Sequence, residues 1–182
     1  SGTITGAQAN PAVYMAVSDY QGAGGTLRLD NSGTIDRIGA GGAGAQLGFY
    51  SPAPTADVTR TITITNSGTI RANDGGRVST GVYYPNGNWM EPVEYTATSP
   101  AGGVHVFGSG DVAATITNTA SGVIEATGEK SVAVLATGAA LDLTNAGTIR
   151  GGTGTTLDSA DQFAVFNGST YLAGAIHTTG AL

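Results

Sequence analysis

A five-residue motif, Asn-Ser-Gly-Thr-Ile, recurs along this chain and limits its possible folds more than any other feature of the sequence. Full, variant and partial copies occupy residues 1–4, 31–35, 66–70, 118–124, 145–149 and 173–176. The glycines of these copies are separated by 31, 35, 54, 25 and 27 residues, which indicates a unit of about 25 residues with insertions. A unit this short cannot bury an apolar face by itself, so successive units must stack around a shared core.

Short segments that alternate apolar and polar residues flank each copy of the motif, and this alternation is typical of half-buried β-strands. One strand precedes the motif, as at residues 61–64, and another begins at its end, as at residues 69–72. A third candidate strand lies upstream in each unit, at residues 13–17, 46–50, 104–107, 132–135 and 163–166. The sequence therefore predicts an all-β fold, a right-handed parallel β-helix of about six rungs with three short strands per rung.

Alignment of the copies predicts ladders of side chains that run along the stack. The final isoleucine of the motif forms an inward column of Ile4, Ile35, Ile70, Ile124, Ile149 and Ile176. The first residue forms a column of Asn31, Asn66, Asn118 and Asn145, whose amides we expect to hydrogen-bond from layer to layer. The position after the isoleucine holds Asp36, Arg71, Glu125 and Arg150. Since the signs alternate, we expect ion pairs between neighbouring layers.

The composition excludes several other classes of protein. The 182 residues contain no cysteine, so the chain has neither a disulfide framework nor a Cys-based metal site. The formal net charge of −6 argues against binding to nucleic-acid phosphates, which requires clustered Lys and Arg. No apolar stretch is long enough for a transmembrane helix. The chain opens within a motif and has no signal-peptide pattern. We therefore expect residues 1–182 to form one β-helix domain, which is either a fragment of a longer polypeptide or a repeating subunit of a longer assembly.

The longest gap between copies contains an aromatic-rich insert. Asn86-Gly87 lies between segments that favour β-structure, which predicts a β-hairpin over residues 78–98 that projects from the stack. Two alternatives remain open: the hairpin folds back on its own layer, or the gap holds an additional rung with a degenerate motif. If the hairpin projects, it is the predicted partner-binding element, through Tyr83, Tyr84, Trp89, Glu91, Glu94 and Tyr95.

No residue pattern supports catalysis or a bound cofactor. Glu91 and Glu94 are three positions apart, which places them on opposite faces of a strand, so a catalytic carboxylate pair is not expected. His105 and His177 are isolated in sequence and are expected to point outward from strands. Neither supplies the ligand set of a structural zinc site. We therefore predict no catalytic residue, no metal site and no cofactor, and a protein that is not an enzyme.

The repeated Asn-Ser-Gly-Thr-Ile after Thr-Ile-Thr-Ile, at residues 61–70, resembles the passenger regions of Gram-negative autotransporters and related β-helical adhesins. The resemblance extends over nearly the whole chain apart from the insert. It implies a right-handed β-helix that is secreted across the outer membrane and displayed at the cell surface. The motif is specific for this architecture and carries no information about an activity.

Together these patterns predict a structural and adhesive cell-surface module, a rigid stalk or fibre that presents the aromatic hairpin to a protein or a glycan. The expected partners are the same chain, by end-to-end association or by continuation of the polypeptide, and a host or cell-surface protein or glycan. Nucleic acid and direct membrane insertion are not expected. The alternative is a β-helical lyase or glycoside hydrolase that degrades polysaccharide, which would require carboxylates along one wall.

Overall fold

The computed structural model describes residues 2–7, 10–19, 22, 24–38, 42–50, 58–73, 102–127, 132–151 and 176–178. All regular secondary structure within these ranges is β-strand, which confirms the predicted all-β class with parallel sheets. In chain order the strands are β1 (Thr3–Ala7), β2 (Val13–Ser18), β3 (Gly25–Asn31), β4 (Thr34–Ile38), β5 (Ala45–Tyr50), β6 (Arg60–Asn66), β7 (Thr69–Asn73), β8 (Gly102–Asn118), β9 (Val123–Thr127), β10 (Val132–Asn145), β11 (Thr148–Arg150) and β12 (Ile176–Thr178).

The strands pair in three parallel columns, which the chain visits in a fixed order. Column A contains β1, β4, β7, β9 and β11. Column B contains β2, β5, the first parts of β8 and β10, and β12. Column C contains β3, β6 and the second parts of β8 and β10. Each passage through the three columns adds one layer, so residues far apart in sequence lie on neighbouring strands.

Alternate side chains of all three columns point into one shared core. Column A contributes Ile35, Ile70, Ile124 and Ile149, which lie in consecutive register and are at most 2% exposed. Column C contributes two rows in register, Leu27, Ile62, Ala114 and Leu141, and Leu29, Ile64, Ile116 and Leu143. Burial of each large side chain stabilises the fold by about 1.5–3 kcal/mol, so the core provides the main driving force for stacking.

Two of the long strands bend between column B and column C without a loop. In β10 the register against β8 shifts between Thr137 and Ala139, and the intervening Gly138 has a φ of 69°. This left-handed backbone conformation favours glycine, because in any other residue the Cβ would come too close to the neighbouring carbonyl oxygen. In the two preceding layers, separate strands occupy columns B and C: β2 and β3 in one layer, and β5 and β6 in the next.

The motif forms the corner between column C and column A, and its glycine is required by close approach of the layers. A Cβ on Gly68 would overlap the carbonyl oxygen of Gly33 in the layer before, and one on Gly147 would overlap that of Gly122. These carbonyls accept hydrogen bonds from the next layer: Thr69 N lies 2.8 Å from Gly33 O, and Thr148 N lies 2.9 Å from Gly122 O. The motif glycine therefore allows backbone hydrogen bonding to continue across the corner.

The irregular motif copy at residues 118–124 keeps the same register as the others. Asn118 lies opposite Asn66, and Ile124 opposite Ile70, although two additional residues separate the asparagine from the glycine. The turn is closed by a hydrogen bond of 2.8 Å from Gly122 N to Thr119 O. The extra residues are therefore absorbed in the turn, and both adjoining columns remain aligned.

The 54-residue gap adds no layer within the stack. Strand β7 pairs directly with β9, and both β5 and β6 pair directly with β8. An additional rung inside the gap would separate these strands, so that alternative is wrong. The predicted hairpin at residues 78–98 lies outside the described residues.

Two members of the predicted isoleucine column differ from expectation. Ile176 pairs with Val134 in column B and is not aligned with Ile149 in column A. Its motif copy, Ala-Gly-Ala-Ile, has no asparagine, so nothing in it specifies the corner, and an alternating Ile-His-Thr segment fits a column B strand equally well. Ile4 does lie opposite Ile35. It is nevertheless 50% exposed, because it lies on the outermost described strand of column A.

We expect Ile70→Asp to abolish cooperative folding. Ile70 is fully buried, and replacing it with a carboxylate removes core packing and buries an unpaired charge, at a cost on the order of 5 kcal/mol or more. The matched control is Ala113→Asp, since Ala113 is exposed on β8. Urea unfolding followed by circular dichroism provides the measurement, and a stably folded Ile70→Asp variant would refute the inward assignment.

Candidate binding surface

Four asparagine side chains form a hydrogen-bonded ladder at the motif corner. The Nδ2 of Asn31 lies 2.8 Å from Asn66 Oδ1, Asn66 Nδ2 lies 2.8 Å from Asn118 Oδ1, and Asn118 Nδ2 lies 2.7 Å from Asn145 Oδ1. Asn66 and Asn118 are completely buried. An amide suits this position because it offers both a donor and an acceptor, so each side chain bonds the layers on either side.

The same amides also satisfy backbone carbonyls at the corner. Asn118 Nδ2 lies 3.1 Å from Gly122 O in its own turn and 3.2 Å from Thr148 O in the next layer. At the first copy, Gly33 N donates to Asn31 Oδ1 over 3.2 Å. Because an unsatisfied buried carbonyl costs about 1–3 kcal/mol, the asparagine stabilises the turn as well as the stacking.

The charged ladder on column A contains two ion pairs around one glutamate. Arg71 Nε lies 2.6 Å from Glu125 Oε1, and Arg150 Nη1 lies 3.3 Å from Glu125 Oε2. Asp36 lies opposite Arg71 in the register of β4 and β7. The Glu125 side chain is only 12% exposed, so its pairs are screened less than those of a fully solvated carboxylate. They favour the register that places opposite charges on adjacent strands.

A buried ion pair joins two layers at the corner between columns B and C. Arg60 Nε lies 2.7 Å from Asp19 Oδ2, with the side chains 0% and 4% exposed. Asp19 Oδ2 also accepts a hydrogen bond of 2.9 Å from Gly24 N. Removing one member of such a pair typically costs about 3–5 kcal/mol, because the other charge stays buried. This pair is therefore part of the fold and is not available to a ligand.

A second arginine, Arg37, is also buried, and it bonds to the backbone. Its Nε lies 2.7 Å from Asn10 O, and its guanidinium also donates to the carbonyl of Ile38. Burial lowers the pKa of Arg37. Sequence analysis missed both buried arginines, although a signal was present: Arg37 and Arg60 have the same strand parity as the inward Ile35 and Ile62.

Outward side chains of column B form a cluster that we name the aromatic surface. It consists of Tyr14, Gln46, Gly48, Tyr50, His105, Phe107 and Thr137, which lie on four successive strands. Tyr14 and Tyr50 are 52% and 45% exposed, and their hydroxyl oxygens are 3.0 Å apart. This cluster is the most extensive aromatic feature in the described part of the chain.

Ring packing holds the aromatic surface in place. The Phe107 ring lies 4.9 Å from the Tyr50 ring, between centroids, at an interplanar angle of 51°, and 5.7 Å from the His105 ring. The ring also occupies the space where a side chain of Gly48 would lie, since a Cβ there would overlap its carbon atoms. The missing side chain of Gly48 thus lets Phe107 lie against the sheet and contact Tyr50.

His105 and Tyr50 of the aromatic surface are both neutral near pH 7. Burial lowers the pKa of His105 to about 4, and the His105 Nε2 lies 2.8 Å from Thr137 Oγ1. The hydrogen bond with Tyr14, together with burial, raises the pKa of Tyr50 to about 12. The surface therefore combines apolar rings with uncharged hydrogen-bonding groups. His105 points outward, as its alternation in the sequence predicts, yet it is partly buried.

Sequence analysis did not bring these aromatic residues together. Tyr14 and Tyr50 belong to different repeats, and different numbers of residues separate them from the motif glycine that precedes each. Tyr14 lies opposite Gln46 and Tyr50 opposite Ser18, and the pairing of β2 with β5 lets the two hydroxyls meet. The predicted partner-binding residues Tyr83, Tyr84, Trp89, Glu91, Glu94 and Tyr95 lie outside the described residues.

Comparison with protein-family models, with curated proteins and with solved structures finds no match for this chain. Among the described residues, no helix is suited to crossing a membrane. The same residues contain no group of three or more His, Asp or Glu side chains arranged to hold a metal ion. The assignment of a function therefore rests on the geometry of the ladders and of the aromatic surface.

We expect Asn118→Ala to lower the free energy of unfolding by about 2–4 kcal/mol, because it removes several hydrogen bonds and leaves buried carbonyls without a donor. Asn145→Ala is the matched control, since Asn145 is the last member of the described ladder and is only partly buried. The decrease in the free energy of unfolding for Asn145→Ala should be about half of the decrease for Asn118→Ala. Equal losses in urea unfolding would show that the ladder does not act through its interior bonds.

We expect the free energy of unfolding to fall as the pH decreases from about 6.5 to about 4, in part because of His105. The unfolded imidazole has a pKa near 6.5, whereas the folded one titrates at about 4, so the unfolded state binds more protons in this window. His105→Gln removes that contribution. The difference in unfolding free energy between the wild type and the variant should therefore change with pH. A difference that is the same at pH 7 and pH 4 would contradict the assignment.

Proposed function

We propose that this chain is a parallel β-helix with right-handed connections that serves as a structural and adhesive module at the surface of a Gram-negative bacterium. It forms a rigid, secreted stalk or fibre and presents aromatic side chains to a protein or a glycan. Its mechanism is mechanical and adhesive, without a catalytic step. Among the described residues, column A contains five strands, and the proposal is built on these five.

The observation that carries this proposal is the unbroken asparagine ladder. Its three amide–amide bonds are 2.7–2.8 Å long and cross four layers. Isoleucine and ion-pair ladders run parallel to it on column A. Since bending the stack would open several of these rows at once, the layers resist deformation, as a stalk or fibre requires.

The adhesive part of the proposal is supported by the distribution of aromatic residues. Tyr and Trp are the residues that most often dominate binding interfaces. The insert at 78–98 holds the only tryptophan and three of the seven tyrosines, and Tyr14 and Tyr50 are exposed on column B. Insertions on one face of a repeat protein commonly carry its binding function.

The non-catalytic part of the proposal is supported by the positions of the carboxylates. Asp19 and Glu125 are engaged in ion pairs with arginine, and the exposed Asp30 pairs with Arg28 on its own strand at 2.6 Å. Paired in this way, these groups contribute to stability and register. The cell-surface location rests on the resemblance of the repeated motif, with the same chain as one expected partner through end-to-end association or continuation of the polypeptide.

Electron microscopy and an adhesion assay test the proposal together. Purified chain should form rods or filaments with a uniform cross-section, and beads coated with it should bind to bacterial or host cells. Compact particles that neither elongate nor adhere would overturn the proposal.

For the hairpin, we expect Trp89→Ala to reduce bead adhesion several-fold while the unfolding transition stays unchanged, because a projecting side chain contributes to contact and little to the core. Thr115→Ala, an exposed change on column C, is the control and should leave adhesion unaltered. Adhesion that is equal for both variants would remove the proposed role of the hairpin.

A further inference from the structure

We propose that the aromatic surface binds an uncharged polysaccharide chain, with sugar rings lying against Tyr14, Tyr50 and Phe107. This inference deepens the adhesive part of the proposed function and rests on it. It assigns a ligand class to residues outside the predicted hairpin segment at 78–98.

The shape of the surface suits an extended ligand. Tyr14, Tyr50 and Phe107 lie on β2, β5 and β8, three consecutive strands of column B. At about 4.8 Å between strands, the rings cover a distance on the order of 10 Å along the stack. Sugar rings have apolar C–H faces, and aromatic rings offer these faces a large, rigid contact area. The rings therefore provide a track along which a linear glycan contacts more than one aromatic residue.

The polar groups around the rings suit a ligand rich in hydroxyl groups. The hydroxyls of Tyr14 and Tyr50 are adjacent. Gln46 lies between Tyr14 and His105 in the same outward row, and its amide offers donors and an acceptor. Sugar hydroxyls both donate and accept hydrogen bonds, so they match this mixture.

The charge of the surface favours a neutral ligand over an acidic or basic one. His105 and Tyr50 are uncharged near pH 7, because the pKa of His105 is about 4 and that of Tyr50 is about 12, and no Asp, Glu, Lys or Arg belongs to the surface. A charged ligand would have to be desolvated there without an opposite charge to compensate, which is costly. A chain of neutral sugars does not incur that cost.

The surface is held in its binding shape before a ligand arrives. Phe107 packs on Gly48 and contacts Tyr50 and His105, and the hydroxyl contact restrains Tyr14 against Tyr50. Rings that are already ordered lose little conformational freedom on binding, so more of the contact energy appears as affinity. This order distinguishes the cluster from aromatic residues scattered singly over a surface.

Titration calorimetry of the full chain with three neutral hexasaccharides, cellohexaose, chitohexaose and mannohexaose, tests this inference. At least one should bind saturably, and Tyr50→Ala should weaken it on the order of tenfold or more. Tyr50→Phe keeps the ring and should retain most of the affinity. Gly48→Ala should also weaken binding, because its Cβ displaces the Phe107 ring while every aromatic residue is kept. Thr115→Ala on column C is the control for an unrelated surface change.

Three outcomes overturn the inference. The first is that none of the three sugars binds saturably. The second is that wild type, Tyr50→Ala and Gly48→Ala bind with equal affinity. The third is that an acidic hexasaccharide binds more tightly than a neutral one. Circular dichroism of every variant establishes that it is folded, and Tyr14→Ala replaces any variant that is not. Bead adhesion that persists without sugar binding would refute this inference alone, whereas the absence of adhesion and of rods would refute the proposed function.

Discussion

The asparagine ladder at the motif corner is the interaction on which the rest of the structure depends. In stacked strands a register shift of one residue exchanges the inward and outward faces. The bond between Asn66 and Asn118 fixes the alignment of their layers at the corner, and the adjoining glycine permits the close approach. With this alignment, Ile124 reaches the core beside Ile70, and Glu125 reaches Arg71. The isoleucine and charge ladders therefore follow from the corner.

The sequence predicts those features that lie at a constant offset from the motif. The isoleucine and the charge after it meet this condition in the four copies that contain an asparagine, and the asparagine meets it in all but the copy at residues 118–124, whose two extra residues are absorbed in the turn. Aligning the copies was therefore enough to predict their pairing. The Asp19–Arg60 pair and the Tyr14–Tyr50 contact do not meet it. Asp19, Tyr14 and Tyr50 are separated from the neighbouring motifs by segments whose lengths differ between repeats, and only strand pairing brings them to their partners. The predicted place of Ile176 in column A was wrong for a related reason, since a motif copy without asparagine does not specify the corner.

In the part of the chain that the structure describes, charged side chains occupy the interior of the stack only near its corners, and the aromatic surface on column B contains none. Arg37 and Arg60 occupy inward positions near corners, where backbone carbonyls or Asp19 compensate them. Isoleucine occupies the corresponding inward positions nearer the middle of the strands, as at Ile62. The corners thus accommodate polar groups that the centre of the core would not, because loop backbone lies close enough to bond with them. On column B the outward positions hold rings without charge, so that binding there depends on contact area and hydroxyl chemistry.

The asparagine ladder also has a direction, because each of its three amide–amide bonds runs from the Nδ2 of one layer to the Oδ1 of the following layer. Reversing a single amide would place two oxygens or two NH₂ groups face to face, so the row is all-or-none in its orientation. Aligned amide dipoles also reinforce one another along such a row. The two ends of the stack are therefore chemically unlike, one offering acceptors and the other donors. Any further layer, from this chain or from another copy, extends the row only when it joins head to tail.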